Sequence, residues 1–213
     1  MFHNKENIFF YISVMNENYG HPAMPKEAEA GILKGMYQLH KGKQPRKQSP
    51  RVQLLGSGTI LRECLAAAKL LEKDFGVLSD LWSVTSFNEL AREGREVERW
   101  NLLHPGDSPK IAYVTNCLEG TSGPVIAATD YVRNYAEQIR QFISNRYFVL
   151  GTDGFGRSGT RKQLREFFEV DRHYIALTAL KALVDEKSIP SSTLLEAAKS
   201  YGIDANKPNP ISA

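Results

Sequence analysis

The spacing of apolar and polar residues along the chain switches repeatedly between a strand-like and a helix-like pattern. Apolar, β-branched or aromatic runs predict strands at 8–15, 52–56, 81–84, 124–129 and 147–151. Apolar residues at helical spacing predict helices at 26–40, 57–75, after Ser86, at 109–118, 131–143, and near 161–168, 172–187 and 192–201. Because the strands at 52–56 and 124–129 are apolar throughout, both of their faces are expected to be covered. The pattern predicts an α/β fold in which helices cover both faces of a mostly parallel sheet.

Capping residues suggest where two of these helices begin. Ser86 and Glu89 match a capping box, in which each side chain satisfies a backbone N–H of the other. Thr193 and Glu196 form a second candidate box. Acidic and basic residues at spacings of three and four follow Glu89, which indicates ion pairs on a solvated face. His104 is expected to end that helix, where an imidazole suits the helix dipole, in preference to a catalytic role.

Composition narrows the functional classes. The 213 residues suit one globular domain with an extra segment, and 42% hydrophobic and 24% charged residues are ordinary for such a domain. A net charge of +3 does not argue for a nucleic-acid partner. Cys64 and Cys117 form no CxxC pattern, which is typical of reduced, cytoplasmic proteins. No apolar run near the start is long enough to span a bilayer, so no membrane partner is expected.

The segment 40–51 (HKGKQPRKQSPR) is basic and contains two prolines but no acidic residue. Such a composition does not bury enough apolar surface to fold tightly. Two interpretations stay open, a solvated loop and an anion-binding site.

The first candidate site is the run from Gly56 to Thr59 (GSGT), which follows a predicted strand and opens a helix. It resembles the start of a dinucleotide-binding turn, where glycines let the backbone approach a pyrophosphate. The third position of that fingerprint is Leu61 where glycine or alanine would be expected. Asp74 and Asp80 are near the distance expected for a ribose-binding acid, but neither is well placed at the end of a predicted strand. The alternative is a tight strand-to-helix turn capped by Ser57 or Thr59.

The second candidate site is the glycine-rich loop at 152–159, which follows the last predicted strand. Open α/β sheets place ligands at that carboxyl edge. The loop could contact an anion or another protein surface, or could be a tight turn whose glycines permit positive φ. G-R-S-G is not a nucleophile elbow, so acyl transfer by Ser158 is not expected. The candidate contact residues are Thr152, Asp153, Gly154, Phe155, Gly156, Arg157 and Ser158.

Longer strings carry a resemblance to a known family. MNENYGHPAMP, VQLLGSGTILRE, SVTSFNELAREG, ERWNLLHP and LGTDGFGRSGTR occur in that order, and Asp204, Lys207, Asn209 and Pro210 follow in the tail. Together they closely resemble the C-terminal region of the homodimeric, acetyl-transferring pyruvate dehydrogenase component. The resemblance runs from about Phe9 to the end of the chain.

The resemblance implies a longer subunit with three α/β domains of the transketolase type. Thiamine diphosphate and Mg²⁺ would bind between the first two domains, at the dimer interface. Residues 1–25 would be the tail of the middle, pyrimidine-binding domain and a crossover. Residues 26–213 would be the transketolase C-terminal-like domain, a three-layer α/β/α unit with a mixed, mostly parallel five-stranded sheet. The whole enzyme would decarboxylate pyruvate and reductively acetylate the lipoyl group of dihydrolipoyl acetyltransferase.

The family's catalytic residues and cofactor ligands would lie upstream of this chain. Thiamine diphosphate enzymes carry a G-D-G motif and an asparagine about thirty residues later, but here the tripeptide is Thr152-Asp153-Gly154 and no asparagine occurs between Asn145 and Asn206. The histidines are not spaced as zinc ligands, and no Ser/His/Asp or Cys/His arrangement can be assembled. No catalytic, cofactor-binding or metal residue is therefore assigned to this chain, and no cofactor is expected in it.

The sequence thus predicts a non-catalytic domain that supports dimerisation and the active-site domains. Phe155 would anchor the loop 152–159 against another surface, with Asp153 and Arg157 as polar partners. The alternative is a free-standing nucleotide- or anion-binding α/β domain that uses Gly56–Thr59 or Asp153–Gly159. A chain that begins at Met1 with a middle-domain remnant is expected to be an excised piece of a longer subunit or the product of a truncated gene.

Overall fold

A computed structural model describes residues 2–9, 12, 14, 17–43 and 49–213. Within these residues the strands are β1 Met36–His40, β2 Arg51–Ser57, β3 Leu78–Val84, β4 Val125–Ala128 and β5 Tyr147–Leu150. The helices are α1 Glu29–Lys34, α2 Leu61–Phe75, α3 Phe87–Leu103, α4 Tyr113–Leu118, α5 Asn134–Glu137, α6 Arg161–Phe167, α7 Arg172–Asp185 and α8 Ser191–Ser200. Two 3₁₀ turns, Gly58–Ile60 and Arg140–Phe142, precede α2 and follow α5.

The strands form one five-stranded sheet in the order β1-β3-β2-β4-β5. β1 runs antiparallel to β3, and the other three pairings are parallel. The mostly parallel sheet predicted from the apolar pattern is therefore confirmed, and so is the mixed, five-stranded sheet that the resemblance implies.

Helices cover both faces of the sheet. Leu54 and Leu55 in β2 are fully buried and belong to two different apolar clusters, because successive side chains of a strand point to opposite faces. The Leu55 cluster includes residues of α3, α4 and α5, and the Leu54 cluster includes residues of α2, α7 and α8. The three-layer α/β/α architecture follows from these two clusters.

The helix predicted at 26–40 is wrong over its second half. α1 stops at Lys34 because Gly35 adopts φ +104°, the left-handed conformation that commonly ends a helix. Met36 and the residues after it then pair with β3 as the antiparallel edge strand β1. A side chain could not replace the glycine hydrogen, since a Cβ atom at Gly35 would lie 2.7 Å from the backbone oxygen of Ser86.

The strand predicted at 8–15 is not found where the structure describes that segment. Residues 10, 11, 13 and 15 lie outside the described residues, and Ile8, Phe9, Ile12 and Val14 belong to no strand. An apolar run forms a strand only when its backbone groups pair with a neighbouring strand. The sheet edges β1 and β5 do not provide that pairing.

One of the two predicted capping boxes is wrong. α8 begins after Pro190 and has no side-chain cap, so Thr193 and Glu196 lie inside the helix. At Ser86 half of the box forms, because Ser86 Oγ accepts from the Glu89 N–H at 3.1 Å. The Glu89 carboxylate binds Arg92 instead.

A complete capping box occurs where none was predicted. The Thr160 hydroxyl accepts from the Gln163 N–H at 3.3 Å, and the Gln163 side chain accepts from the Thr160 N–H at 3.1 Å. This box starts α6 directly after the loop 152–159.

The helices predicted at 109–118 and 131–143 are shorter than expected, because nearby side chains and loops already bind their backbone. The Asn101 side chain donates to the Lys110 carbonyl at 3.0 Å and accepts from its N–H at 2.8 Å, so α4 begins only at Tyr113. The Tyr131 carbonyl accepts from the Thr152 N–H at 2.9 Å. That bond ties the start of the second segment to the loop after β5.

Candidate functional site

Both candidate sites meet at one edge of the sheet. After β2 the chain adds β3 on one side and later returns to add β4 on the other, so the strand order reverses between β2 and β4. Ligands of open α/β sheets bind in the crevice outside the carboxyl ends of the strands at such a reversal. The Gly56–Thr59 run spans the end of β2 and the turn after it, and the loop 152–159 follows β5, the neighbour of β4.

The Gly56–Thr59 turn is built for close packing. A Cβ atom at Gly56 would lie 2.7 Å from Leu61 Cα and 3.1 Å from Cys64 Sγ, so only glycine lets α2 approach the strand. Gly58 adopts φ +53°, in the left-handed region. The predicted turn is present, but neither Ser57 nor Thr59 caps the helix. Ser57 is extended and Thr59 donates to Asp130 Oδ2 at 3.0 Å, so the caps predicted there are wrong.

The structure gives the two candidate ribose-binding acids other partners. Asp80 is buried within β3, where it accepts from Arg51, from Gln53 Nε2 at 2.9 Å and from the Gly42 N–H at 2.8 Å. Asp74 lies near the end of α2 and accepts from the Tyr201 hydroxyl at 3.4 Å. Neither acid lies beside the Gly56–Thr59 turn, so the dinucleotide interpretation loses its support.

The basic segment 40–51 is partly structural. Residues 44–48, including Arg46 and Lys47, lie outside the described residues. Arg51 keeps only 11% of its side chain exposed and pairs with Asp80, while Lys43 pairs with Glu72 at 2.7 Å on the surface. The described part therefore does not behave as the purely solvated loop considered above.

The first residues of the loop 152–159 are anchored to the chain that follows β4. The Thr152 hydroxyl donates to the Asp130 carbonyl at 2.8 Å. The Asp153 carboxylate accepts from the Arg133 N–H at 3.0 Å, and its second oxygen lies 3.9 Å from Arg133 Nε. Asp153 thus holds two loops together and faces a backbone N–H and a guanidinium.

The rest of the loop divides into an outward and an inward part. Gly154 adopts φ +99°, and a Cβ atom there would lie 2.5 Å from the Pro210 carbonyl oxygen. Phe155 is 80% exposed, and its contact role stays a prediction. Arg157 binds the Ala213 carbonyl and lies 5.3 Å from the centre of the Phe167 ring. Gly156 and Ser158 are exposed.

A groove of about 690 Å³ lies between these loops and α6, and we call it the switch-point groove. Its polar wall residues are Thr59, Asp130, Thr152, Arg157, Arg161 and Arg165. Thr59 comes from the turn after β2, and Asp130 and Thr152 from the ends of β4 and β5. Arg161 and Arg165 are one turn apart on α6, so they lie on the same face of that helix. The two candidate sites and one arginine-bearing helix therefore share a single cavity.

Behind the groove, the buried carboxylate of Glu63 holds two arginines. Glu63 keeps 5% of its side chain exposed, and it accepts from Arg165 Nη1 at 3.2 Å and from Arg172 Nε, Nη2 and N–H at 2.9, 3.1 and 3.1 Å. Burial by itself would raise the pKa of Glu63, but the hydrogen bonds and positive charges of Arg172 and Arg165 hold it below its ordinary value. The clamp joins α2 to α6 and to the first turn of α7.

Neither a metal-binding cluster nor a thiol activated by a lowered pKa occurs in the described part of the chain. No three His, Cys, Asp or Glu residues there are arranged to hold a metal ion. Burial raises the pKa of the Cys64 thiol far above its ordinary value and also raises that of Cys117. His104 stacks on the Trp100 ring, and its Nδ1 lies 2.8 Å from the Trp100 carbonyl oxygen, at the end of α3.

A thiamine diphosphate site does not fit these residues. Asp153, the only acid of the Thr152-Asp153-Gly154 tripeptide, binds the Arg133 backbone and guanidinium. Within the residues that the structure describes, Asp153 belongs to no group of three His, Cys, Asp or Glu side chains that could hold a metal ion. We therefore derive no chemical step through that cofactor for this chain.

The profile of the transketolase-like TK C-terminal domain family matches residues 35–171. The chain belongs to this family. It is 59% identical over 212 residues to the pyruvate dehydrogenase E1 component of Cupriavidus necator and 60% identical to that of Pseudomonas aeruginosa. These alignments cover 100% and 99% of the chain but 24% of each relative, so the chain spans about a quarter of their length.

Solved structures also resemble this transketolase-like C-terminal domain. The transketolase of Campylobacter jejuni is 23% identical, with a TM-score of 0.47 over 75% of this chain and 20% of that one. No helix among the described residues of the domain has both the length and the apolar character needed to cross a membrane.

Several residues that line the groove of this transketolase-like C-terminal domain were not predicted from the sequence. Asp130, Arg161 and Arg165 were not singled out, although Asp130 directly follows a predicted strand and could have been suspected for that reason. Glu63 was also missed. Its signal is a carboxylate on the apolar face of α2, where an unpaired charge would be costly.

Proposed function

We propose that the chain is the C-terminal domain of a thiamine-diphosphate-dependent pyruvate dehydrogenase component and that it carries no catalytic residue. The observation that supports this most strongly is the 59–60% identity to two pyruvate dehydrogenase E1 components over essentially the whole chain. The longer enzyme would decarboxylate pyruvate and reductively acetylate the lipoyl group of dihydrolipoyl acetyltransferase. It would act as a cytoplasmic homodimer.

In this proposal the domain stabilises the dimer and the domains that bind thiamine diphosphate and Mg²⁺. Three acids support such a division of labour, since Asp153, Asp80 and Glu63 are engaged in ion pairs and hydrogen bonds of the fold. Residues 1–25 would be the tail of the middle domain and the crossover, and residues 26–213 the C-terminal domain itself.

Calorimetric titration of the chain with thiamine diphosphate and Mg²⁺ tests the proposed division. We expect no heat of binding, together with a cooperative thermal transition that shows the chain to be folded. Micromolar binding would contradict the proposal, because it would require a cofactor site within this chain.

A second measurement tests the assignment to pyruvate dehydrogenase. The proposed longer subunit, joined to this chain as its C-terminal domain, is expected to reduce a lipoyl-domain acceptor in the presence of pyruvate. The same subunit without this chain is expected to lose dimer stability and activity together. Full activity without the chain would exclude a supporting role.

A further inference from the structure

We propose that the switch-point groove binds a phosphate monoester of a small hydroxylated molecule, with the phosphate on Arg157 and Arg161. The proposal concerns a ligand site in the chain itself and does not depend on the function of the longer subunit. The volume of the groove, about 690 Å³, lies within the usual range for small-molecule sites, about 300–1,000 Å³.

One wall of the groove is basic. Arg161 and Arg165 project from one face of α6, and Arg157 comes from the loop before it. Arg165 keeps 18% of its side chain exposed and is held by Glu63, so its position is fixed. Arg161 is 46% exposed, and Arg157 is exposed although its guanidinium binds the Ala213 carbonyl. A guanidinium has five N–H donors, so both arginines can also donate to a ligand from solvent. The planar fork of N–H donors on a guanidinium matches two phosphate oxygens at once.

A carboxylate already lies against this wall. Glu17 Oε2 is 2.7 Å from Arg161 Nη1, and Glu17 also accepts from the Tyr19 hydroxyl at 2.8 Å. Glu17 belongs to a described stretch without helix or strand, and 46% of its side chain is exposed. An ion pair this exposed contributes little to stability, so a doubly charged phosphate can replace the carboxylate on Arg161. We therefore take the position of Glu17 to mark where an anion binds.

Other residues that line the groove suit hydroxyl groups. The Asp130 carboxylate lines the groove with the Thr59 hydroxyl that donates to it, and Thr152 lies beside them. A carboxylate repels a phosphate but accepts hydrogen bonds from alcohols, so the arginines and Asp130 together would orient a ligand with one anionic and one hydroxylated end. Gly154 and Gly156 carry no side chain that would narrow the entrance on the loop side.

Apolar side chains also line the groove and suit the carbon skeleton between those two ends. They are those of Ile60, Leu164, Phe168 and Val170. Polar and apolar groups contribute about equally to the surface of the groove, which suits a ligand that carries both kinds of group. Nucleoside monophosphates and sugar phosphates both meet this description, and the experiment distinguishes them.

The test is titration of the full chain, followed by calorimetry and thermal unfolding at constant ionic strength. The probes are AMP, glucose 6-phosphate, adenosine and inorganic phosphate. We expect one of the two monoesters to bind saturably and to raise the melting temperature, with adenosine inactive and inorganic phosphate weaker. Preference for AMP would identify a nucleoside ligand, and preference for glucose 6-phosphate a sugar ligand.

Three variants make the test specific to the groove. Replacing both arginines (Arg157→Gln with Arg161→Gln) is expected to weaken monoester binding at least about tenfold, since each lost contact is a charge-assisted hydrogen bond. Glu17→Gln is expected to tighten binding severalfold because it removes the competing carboxylate. Arg146→Gln is the matched control: Arg146 is also 46% exposed and pairs with Asp185 at 3.4 Å, but it precedes β5 at the opposite end of the strand.

Absence of saturable binding by both monoesters would overturn the proposal. Equal loss in the Arg146→Gln control would do so as well, because it would indicate a general salt effect. Unchanged affinity in the double arginine variant, or weaker binding in Glu17→Gln, would show that the anion does not bind on this wall.

Discussion

Replacing Glu63 by glutamine removes one negative charge at nearly constant volume from the clamp that joins α2, α6 and α7. Each carboxylate oxygen of Glu63 accepts two hydrogen bonds, Oε1 from Arg165 and Arg172, and Oε2 from the side chain and backbone of Arg172. Glutamine presents an NH₂ group in place of one oxygen, so two donors lose their acceptor. The variant therefore tests whether this buried charge stabilises the fold.

The expected loss in the free energy of unfolding depends on how exposed Glu63, Arg165 and Arg172 are. Removing one partner of a fully buried ion pair costs about 3–5 kcal/mol, because the other charge stays buried and uncompensated. Here Glu63 is 5% exposed, but Arg172 is 47% exposed and can bind water instead. We expect Glu63→Gln to lower the free energy of unfolding by about 2–3 kcal/mol at pH 7, somewhat below that range.

The pH dependence provides an independent check. Because the folded-state pKa of Glu63 is lowered from 4.5, its charge stabilises the fold above about pH 4.5, and that contribution is lost as the pH falls towards the folded-state pKa. Urea unfolding followed by circular dichroism should therefore show a large difference between wild type and Glu63→Gln at pH 7 and a smaller one below pH 4.5.

A matched variant separates the clamp from ordinary surface charges. Glu96 pairs with Arg92 at 2.6 Å on the exposed face of α3, so Glu96→Gln should not change stability measurably. A loss below about 0.5 kcal/mol for Glu63→Gln at pH 7 would refute the reasoning, since it would equal a typical surface substitution. A difference that does not shrink in acid would also refute it.

The remaining predictions concern the two loops and a buried thiol. Gly56→Ala should destabilise the chain by about 1–3 kcal/mol in urea unfolding, because its Cβ would lie 2.7 Å from Leu61 Cα, whereas Gly106→Ala, with no atom within 4 Å, should be close to neutral. Phe155→Ala should leave the stability of this chain unchanged, since the ring is 80% exposed, but weaken dimerisation or activity of the proposed longer enzyme; if neither changes, the loop is not a contact. Cys64 should react with a thiol reagent only after unfolding, because it is buried and burial raises its pKa; fast labelling of the native chain would contradict the assigned burial.

The inner strands could be predicted because burial on both faces leaves a plain sequence signal. β2 and β4 are apolar over most of their length, and the sequence located both within two residues. β1 could not be located in the same way, since Met36 and Leu39 also satisfy a helical period. What ends α1 is the left-handed conformation of Gly35, a signal that was available but weaker than the apolar spacing.

The two candidate loops were also recognisable, but the groove that they share was not. Each loop follows a predicted strand, so its place at a carboxyl edge is a local inference. That β2 lies beside β4, and β4 beside β5, depends on strand order, which apolar periodicity does not contain. Arg161 and Asp130 line the same groove only because of that strand order, so the sequence did not indicate that they belong to one site.

For Glu63, the local sequence pattern predicts burial, but it does not predict which residues pair with the carboxylate. It lies three residues after Ile60 and four before Ala67, both fully buried, so helical spacing alone places its carboxylate on the covered face of α2. A buried carboxylate needs a charged or hydrogen-bonding partner, so the sequence also predicts that a base must meet it. Which of the 27 lysines and arginines does so depends on the packing of α6 and α7, more than 100 residues later in the chain. Arg165 is one of the two arginines that pair with Glu63. The buried carboxylate of Glu63 therefore also fixes the position of one residue in the basic wall of the groove.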